Sequence, residues 1–106
     1  MIDHAIIEQA VSLLLHAAPP GSGVILFGSH ARGDAGADSD LDFLVIEPTV
    51  TDRHKEMVRL NEVLRPLQVS VDVLVTSRER FEYWKDTPNT VYFEAANEGR
   101  AYGQVA

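Results

Sequence analysis

The sequence predicts an α/β protein, and three observations lead there. Short apolar runs, "VILF" and "LDFLVI", have the length and residue types of strands, and "VSVDVLVT" alternates at period two. Stretches with apolar residues at helical spacing lie between and around them. No internal repeat, low-complexity tract or linker divides the chain, so residues 1–106 are expected to form a single domain in the order α-β-turn-β-α-β-α-α.

The first helix is expected through "DHAIIEQAVSLLLHAA", where Ile6, Ala10, Leu13, Leu14 and Ala17 recur at helical spacing after Asp3, a capping residue; "PPGSG" ends it. Val24–Phe27 reads as a short buried strand, and Gly28-Ser29 as a turn leaving it. Leu41–Ile46 is the second strand, closed by Pro48. "TDRHKEMVRLNEVLR" (51–65) puts Met57, Leu60 and Leu64 on one face of a helix that Pro66 stops. Val69–Thr76 is the clearest strand. Ser77 then caps a helix that breaks near Thr87-Pro88 and resumes through "VYFEAANEG", with Gly99 as its terminator.

Composition narrows the function classes. Nine basic against sixteen acidic residues give a net charge of −7, which repels a nucleic-acid backbone but not a metal-bridged nucleotide. Without cysteine there is no disulfide, thiolate metal site or cysteine nucleophile. The start "MIDHAIIEQA" carries acids where a secretory signal carries basic residues, and no apolar run approaches the ~20 residues that span a bilayer. The expectation is a cytoplasmic protein with no membrane partner.

Strand parity gives the acidic residues a geometry. Asp40, Asp42, Leu44 and Ile46 point to one face of their strand, and Ser70, Asp72, Leu74 and Thr76 to one face of theirs. The intervening helix is long enough to bring the two strands together as parallel neighbours roughly 4.8 Å apart. Three carboxylates would then meet on the less apolar side of the sheet. Two unit charges about 4 Å apart repel by about 4 kcal/mol at an effective dielectric of 20, so three together cost on the order of 10 kcal/mol. That rivals the ~5–15 kcal/mol stability of a whole domain. The groups diverge, or one is protonated, or a hard divalent cation sits among them; oxygen donors alone fit Mg²⁺ or Mn²⁺ rather than zinc. On the pattern alone an equal reading stands beside this one, with Asp40 capping a turn, Asp42 at a strand edge and Asp72 solvated.

Gly28 permits a tight turn, and Ser29 is placed to cap a short helix whose free N–H groups, with its hydroxyl, form a phosphate cradle. "GSHARGD" lacks the Gly-Lys-Ser/Thr ending of a P-loop. Gly28-Ser29, ten residues, then Asp40-x-Asp42, with "ARG" (31–33) between, resembles the signature of the DNA-polymerase-β-type nucleotidyltransferase superfamily. Asp72, one helix later in an alternating strand, matches that family's third acid. The resemblance spans residues 23–76, and the size and element order are similar to the minimal, MNT-type nucleotidyltransferases.

The resemblance implies the nucleotidyltransferase fold, a short mixed β-sheet with helices packed mainly on one face. It also implies that Asp40, Asp42 and Asp72 hold two Mg²⁺ ions, Mn²⁺ being an alternative. Gly28 and Ser29 would hold the β- and γ-phosphates of ATP, and Arg32 would steady either a phosphate or the loop itself. The implied chemistry is two-metal transfer of a nucleoside monophosphate with loss of pyrophosphate.

Other residues carry less. His30 stands where relatives vary; Asp34 and Asp38 read as solvated turn residues. His4, His16 and His54 lack metal-ligand spacing. Six of the eight aromatics, Phe81, Tyr83, Trp84, Tyr92, Phe93 and Tyr102, follow position 80. Core packing accounts for most, and a partner interface for the rest. Nothing after Thr76 is long enough for the helical acceptor domain of larger relatives, so the acceptor is expected from another chain. MNT-type proteins are commonly antitoxins of HEPN–MNT pairs, which implies an adenylyltransferase acting on a HEPN-type toxin. Two alternatives stand: a small-molecule nucleotidyltransferase of the aminoglycoside-modifying kind, its acceptor pocket built across a homo-oligomer, and a non-catalytic module that masks its partner.

Overall fold

The computed structural model describes residues 3–36 and 38–105. Its elements run α1 (His4–Ala17), β1 (Gly23–Phe27), α2 (Ser29–Arg32), β2 (Leu41–Glu47), α3 (Arg53–Val63), β3 (Val71–Ser77), α4 (Arg78–Trp84), α5 (Val91–Glu98) and β4 (Arg100–Gly103). The strands form one mixed sheet in the order β3-β2-β1-β4. β2 runs parallel to β3, as the crossover through α3 requires, and β1 is antiparallel to both β2 and β4.

Period-two alternation divides the sheet's apolar residues between two cores. Val24, Leu26, Leu41, Phe43, Val45, Val73 and Val75 meet α1 and α3 on one face. Ile25, Phe27, Leu44 and Ile46 meet Phe81, Tyr92 and Ala95 of the shorter α4 and α5 on the other. The larger share of helix therefore lies on the first face, and the second is covered only in part.

Local signals set the helix starts. Asp3 accepts from the Ile6 amide at 3.1 Å, Asp52 from Lys55 at 3.1 Å, Ser77 from Arg80 at 3.1 Å and Thr90 from Phe93 at 3.1 Å. Met57, Leu60 and Leu64 face the core as expected, although α3 ends at Val63 and Pro66 sits inside a 3₁₀ turn, Arg65–Leu67. In α1 the buried stripe is Ile7, Ala10, Val11 and Leu14, so Ala10 and Leu14 are buried as expected, Ile6 and Ala17 pack partly against the core, and Leu13 is left 38% exposed.

Two features lie outside the expected order. β3 begins at Val71 rather than Val69, and its outer edge is closed by side chains instead of another strand. The Asn61 amide donates to the Val73 carbonyl at 3.1 Å and accepts from its N–H at 3.2 Å, while Arg53 Nε donates to the Val75 carbonyl at 3.0 Å. β4 was not foreseen. Gly99 ends α5 as expected and also lets the chain pass close to β1, because a Cβ there would stand 2.3 Å from Ile25 Cγ2. The chain then pairs along β1, from Leu26↔Arg100 to Gly23↔Gly103.

The end of β2 carries an acid in the larger core. Glu47 is 2% exposed and lies beneath Glu56, which Arg59 grips through two 2.8 Å hydrogen bonds while also donating to the Ala17 carbonyl at 2.9 Å. Burial, then the hydrogen bond and charge of Glu56, push Glu47 up to about 8; the Arg59 hydrogen bonds pull Glu56 down to about 2. One proton is thus held between them, on Glu47. Because its folded pKa lies above the unfolded value, Glu47 contributes stability that is complete below about pH 4.5 and lost as pH rises through about 8. Glu47→Gln, which keeps the proton-bearing side and cannot ionise, should melt increasingly above the wild type from pH 5 to pH 9, by an amount on the order of a few kcal/mol. A constant offset across that range in thermal denaturation would refute the assignment.

Candidate functional site

The acids predicted from the sequence gather at the end of the sheet where β2 and β3 begin. Asp42 and Asp72 are register partners across the parallel pair, and Asp42 also faces Phe27 at the end of β1. Asp40 stands two residues before Asp42, just outside the ladder that starts with Leu41 N donating to the Ser70 carbonyl at 3.0 Å. Asp42 is half-buried; Asp40 and Asp72 are exposed. Burial first, then the charges of Asp72, Asp40 and Glu94, raise the Asp42 pKa, and His30 opposes them.

Glu94, on α5, belongs to this electrostatic group and was missed from the sequence. No local signal relates it to acids 22 to 54 positions earlier; only the packing of α5 beside β1 does.

Gly28 shows how close the backbone comes to Asp42. Its φ of 76° and ψ of −158° fall in a region essentially reserved for glycine. A Cβ there would lie 2.4 Å from Asp42 Oδ2. The Gly28 carbonyl accepts from the Ala31 and Arg32 amides, both at 3.1 Å, so α2 starts after Gly28. Ser29 is therefore the first helical residue and not the cap, correcting the expected capping role. Its half-exposed side chain stands with the Ser29 and His30 amides, which a helix start leaves without intrahelical partners.

Arg32 points elsewhere. It pairs with Asp34 at 3.2 Å, Glu94 at 3.2 Å and Glu98 at 3.9 Å, tying α2 to α5. Of the two roles open to it in the sequence, loop bracing is the one its contacts serve. His30 Nε2 donates to the Ser39 carbonyl at 3.1 Å, and Arg100 donates to the His30 carbonyl at 3.3 Å. These contacts fix the segment that delivers Asp40. His4, His16 and His54 are exposed, as are Asp34 and Asp38.

The donor chemistry fits a hard divalent cation: oxygen ligands only, on neighbouring backbone positions, with burial and then neighbouring acids raising the central pKa. Among the described residues, no group of three or more histidine, cysteine, aspartate or glutamate side chains stands arranged to hold a metal ion. Coordination by Asp40, Asp42 and Asp72 therefore calls for side-chain rotation.

Among the described residues no helix is long and apolar enough to cross a membrane. A family model described as a nucleotidyltransferase domain matches residues 7–101. No curated protein sequence matches the chain. Similar solved structures include a toxin–antitoxin crystallised with AMP-PNP, at 20% identity and a TM-score of 0.62 over 91% of this chain and 73% of that one. Another is a MntA–HpeT toxin–antitoxin variant with two aspartates exchanged for glutamate, at 18% identity and 0.60 over 96% and 74%. A tyrosine-to-alanine variant of MntA–HpeT gives 19% and 0.58 over 96% and 72%. At these identities the likeness is one of fold.

Two outcomes follow from the crowding around Asp42. Because its pKa is raised in the folded state, its contribution to stability is present at low pH and lost as pH rises through the folded value. Asp42→Asn should melt a few degrees above the wild type at pH 7 and lose that advantage near pH 3; a less stable variant at pH 7 would contradict the cost of ionising Asp42 in its half-buried, acidic surroundings. Gly28→Ala should cost about 1–3 kcal/mol in denaturant unfolding from backbone strain, and an unchanged midpoint would show that the turn relaxes freely.

Proposed function

The chain belongs to the nucleotidyltransferase domain family, and from that membership we propose that it transfers AMP from ATP to a hydroxyl of a partner protein, as the antitoxin of a HEPN-type RNase toxin. The observation that carries the reading is the direct pairing of Asp42 with Asp72 across β2 and β3, with the Gly28 turn pressed against Asp42. The solved neighbours support the biological half of it. They are toxin–antitoxin complexes, one holding AMP-PNP and another altered at two aspartates two positions apart, the spacing of Asp40 and Asp42.

In this reading Asp40, Asp42 and Asp72 hold two Mg²⁺ ions, with Mn²⁺ able to substitute. When bound, such ions neutralise the triphosphate and lower the pKa of the acceptor hydroxyl. Gly28 brings backbone close to the phosphates, and the Ser29 hydroxyl and amide donate to them. Arg32, through Asp34 and Glu94, keeps α2 in place for that contact. Half-burial of Asp42 keeps its charge poorly hydrated, so its attraction for a cation is stronger than that of an exposed aspartate. The transfer forms an ester between the hydroxyl oxygen and the α-phosphorus, releases pyrophosphate and gives the hydroxyl proton to solvent. Asp72 lies on the edge strand β3, the side from which an acceptor can approach.

ATP with Mg²⁺ should raise the melting temperature, EDTA should remove most of the rise, and Asp42→Asn should abolish it. Ser29→Ala should weaken ATP roughly ten- to a hundredfold while the protein stays folded. Co-expressed with the protein encoded beside it, the chain should leave AMP on a hydroxyl of that partner, most readily a tyrosine, seen as an intact-mass increase that disappears with Asp40→Asn or Asp72→Asn. An unmodified partner held tightly by those variants would establish masking instead. Efficient transfer to an aminoglycoside by the chain alone would establish the small-molecule activity.

A further inference from the structure

A second cavity opens farther along the sheet, against α4. It measures about 750 Å³, and Arg53, Thr76, Glu79, Arg80, Tyr83 and Trp84 contribute to its wall. Thr76 shares its face with Asp72 but stands four positions along β3, roughly 13 Å of strand.

The two arginines are held in an unusual way for so acidic a chain. Arg53 is anchored through Nε to the Val75 carbonyl at 3.0 Å, and Arg80 through Nε to the Tyr92 hydroxyl at 3.1 Å. Among the described residues neither forms an ion pair, and their terminal nitrogens make no hydrogen bond. Each guanidinium is thus oriented at its inner nitrogen and open at its fork, the geometry that suits a bidentate oxyanion. Their charges reach one common point. Burial raises the Tyr92 pKa, yet the hydrogen bonds with Arg80 and Thr76 and the charges of Arg80 and Arg53 outweigh it and hold the phenol below its usual value.

The rest of the wall narrows the ligand. Glu82 is occupied by Lys85 at 2.7 Å, which leaves Glu79 as the uncompensated acid against two arginines. That balance suits one phosphate group and would be overloaded by a triphosphate without metal. Beside it Tyr83 is 74% exposed and meets Trp84 edge to face, with ring centroids 4.9 Å apart at 75°. Such an exposed ring offers a planar surface on which a nucleobase stacks. The volume falls within the roughly 300–1,000 Å³ of small-ligand sites.

We infer that this cavity is a second, metal-independent ligand site that takes a nucleoside monophosphate, with its phosphate on Arg53 and Arg80 and its base against Tyr83 and Trp84. A nucleotide whose phosphates lie at Gly28 and Ser29 cannot also place them here, so the site is separate from the one proposed for catalysis and stands without it.

Calorimetric titration of the chain with AMP in EDTA tests this. AMP should bind at one site with a submillimolar Kd, and Arg53→Gln or Arg80→Gln should weaken it by about tenfold or more. Asp42→Asn should leave it unchanged. Since both arginines also anchor the fold, Tyr83→Ala provides the second test: its side chain lies in solvent, so it should keep the melting temperature, weaken AMP and leave inorganic phosphate unaffected. Binding that requires Mg²⁺ or is lost in Asp42→Asn would put the ligand in the catalytic site and overturn the inference. So would the absence of metal-free binding, inorganic phosphate binding as tightly as AMP, or AMP affinity indifferent to Tyr83→Ala.

Discussion

Asp42 and Asp72 occupy facing positions on adjacent parallel strands, and this juxtaposition of like charge constrains the molecule around it. Carboxylates so placed cannot be sealed in a core, because poor solvation would magnify their repulsion. The second face of the sheet is accordingly covered where it carries Ile25, Leu44 and Ile46 and left accessible where it carries the acids. At that open end the wall is built from backbone instead of side chain. Gly28 meets Asp42 where any Cβ would collide. Nearby, Arg32 takes up Glu94 and Glu98, so it braces α2 against α5 and offsets part of the negative field that Glu94 directs at Asp42.

The other close pair of acids shows the opposite solution. Glu47 and Glu56 meet at the far end of β2, against α3, beside a cavity whose wall Lys55 and Arg59 share with them. There the conflict is resolved internally, by a proton on Glu47 and by Arg59, which also ties α3 to the end of α1. Asp42 has neither an arginine partner nor complete burial. The repulsion at the strand starts is thus only partly offset, by His30 and through the pairing of Arg32 with Glu94.

The edge strand β3 links these regions. Because Asn61 and Arg53 close outer hydrogen-bonding positions at Val73 and Val75, that stretch of the edge resists pairing with a strand of another chain. Arg53 holds the edge carbonyl of Val75 through its inner nitrogen and also lines the cavity at α4.

Much of this was legible in the sequence because the signals are local. Alternation in Val69–Thr76, the caps at Asp3 and Ser77, and the Gly28-Ser29 turn with its following acids act within a few residues, and they mark the helices, three strands and the register that sets Asp42 beside Asp72. The parallel pairing of β2 and β3 was also legible, since the length of α3 permits little else. Only the tertiary structure decided the rest. "RAYG" is too short and too weakly patterned to announce itself as a strand; β1 makes it one by offering unpaired ladder positions. Glu94 and Arg32, 62 positions apart, and Glu47 with Glu56 on separate elements, acquire their roles from distance in space alone. Charge interactions depend on separation and burial, neither of which periodicity encodes, so the sequence named the acids while the fold determined which of them would be neutralised and which left open.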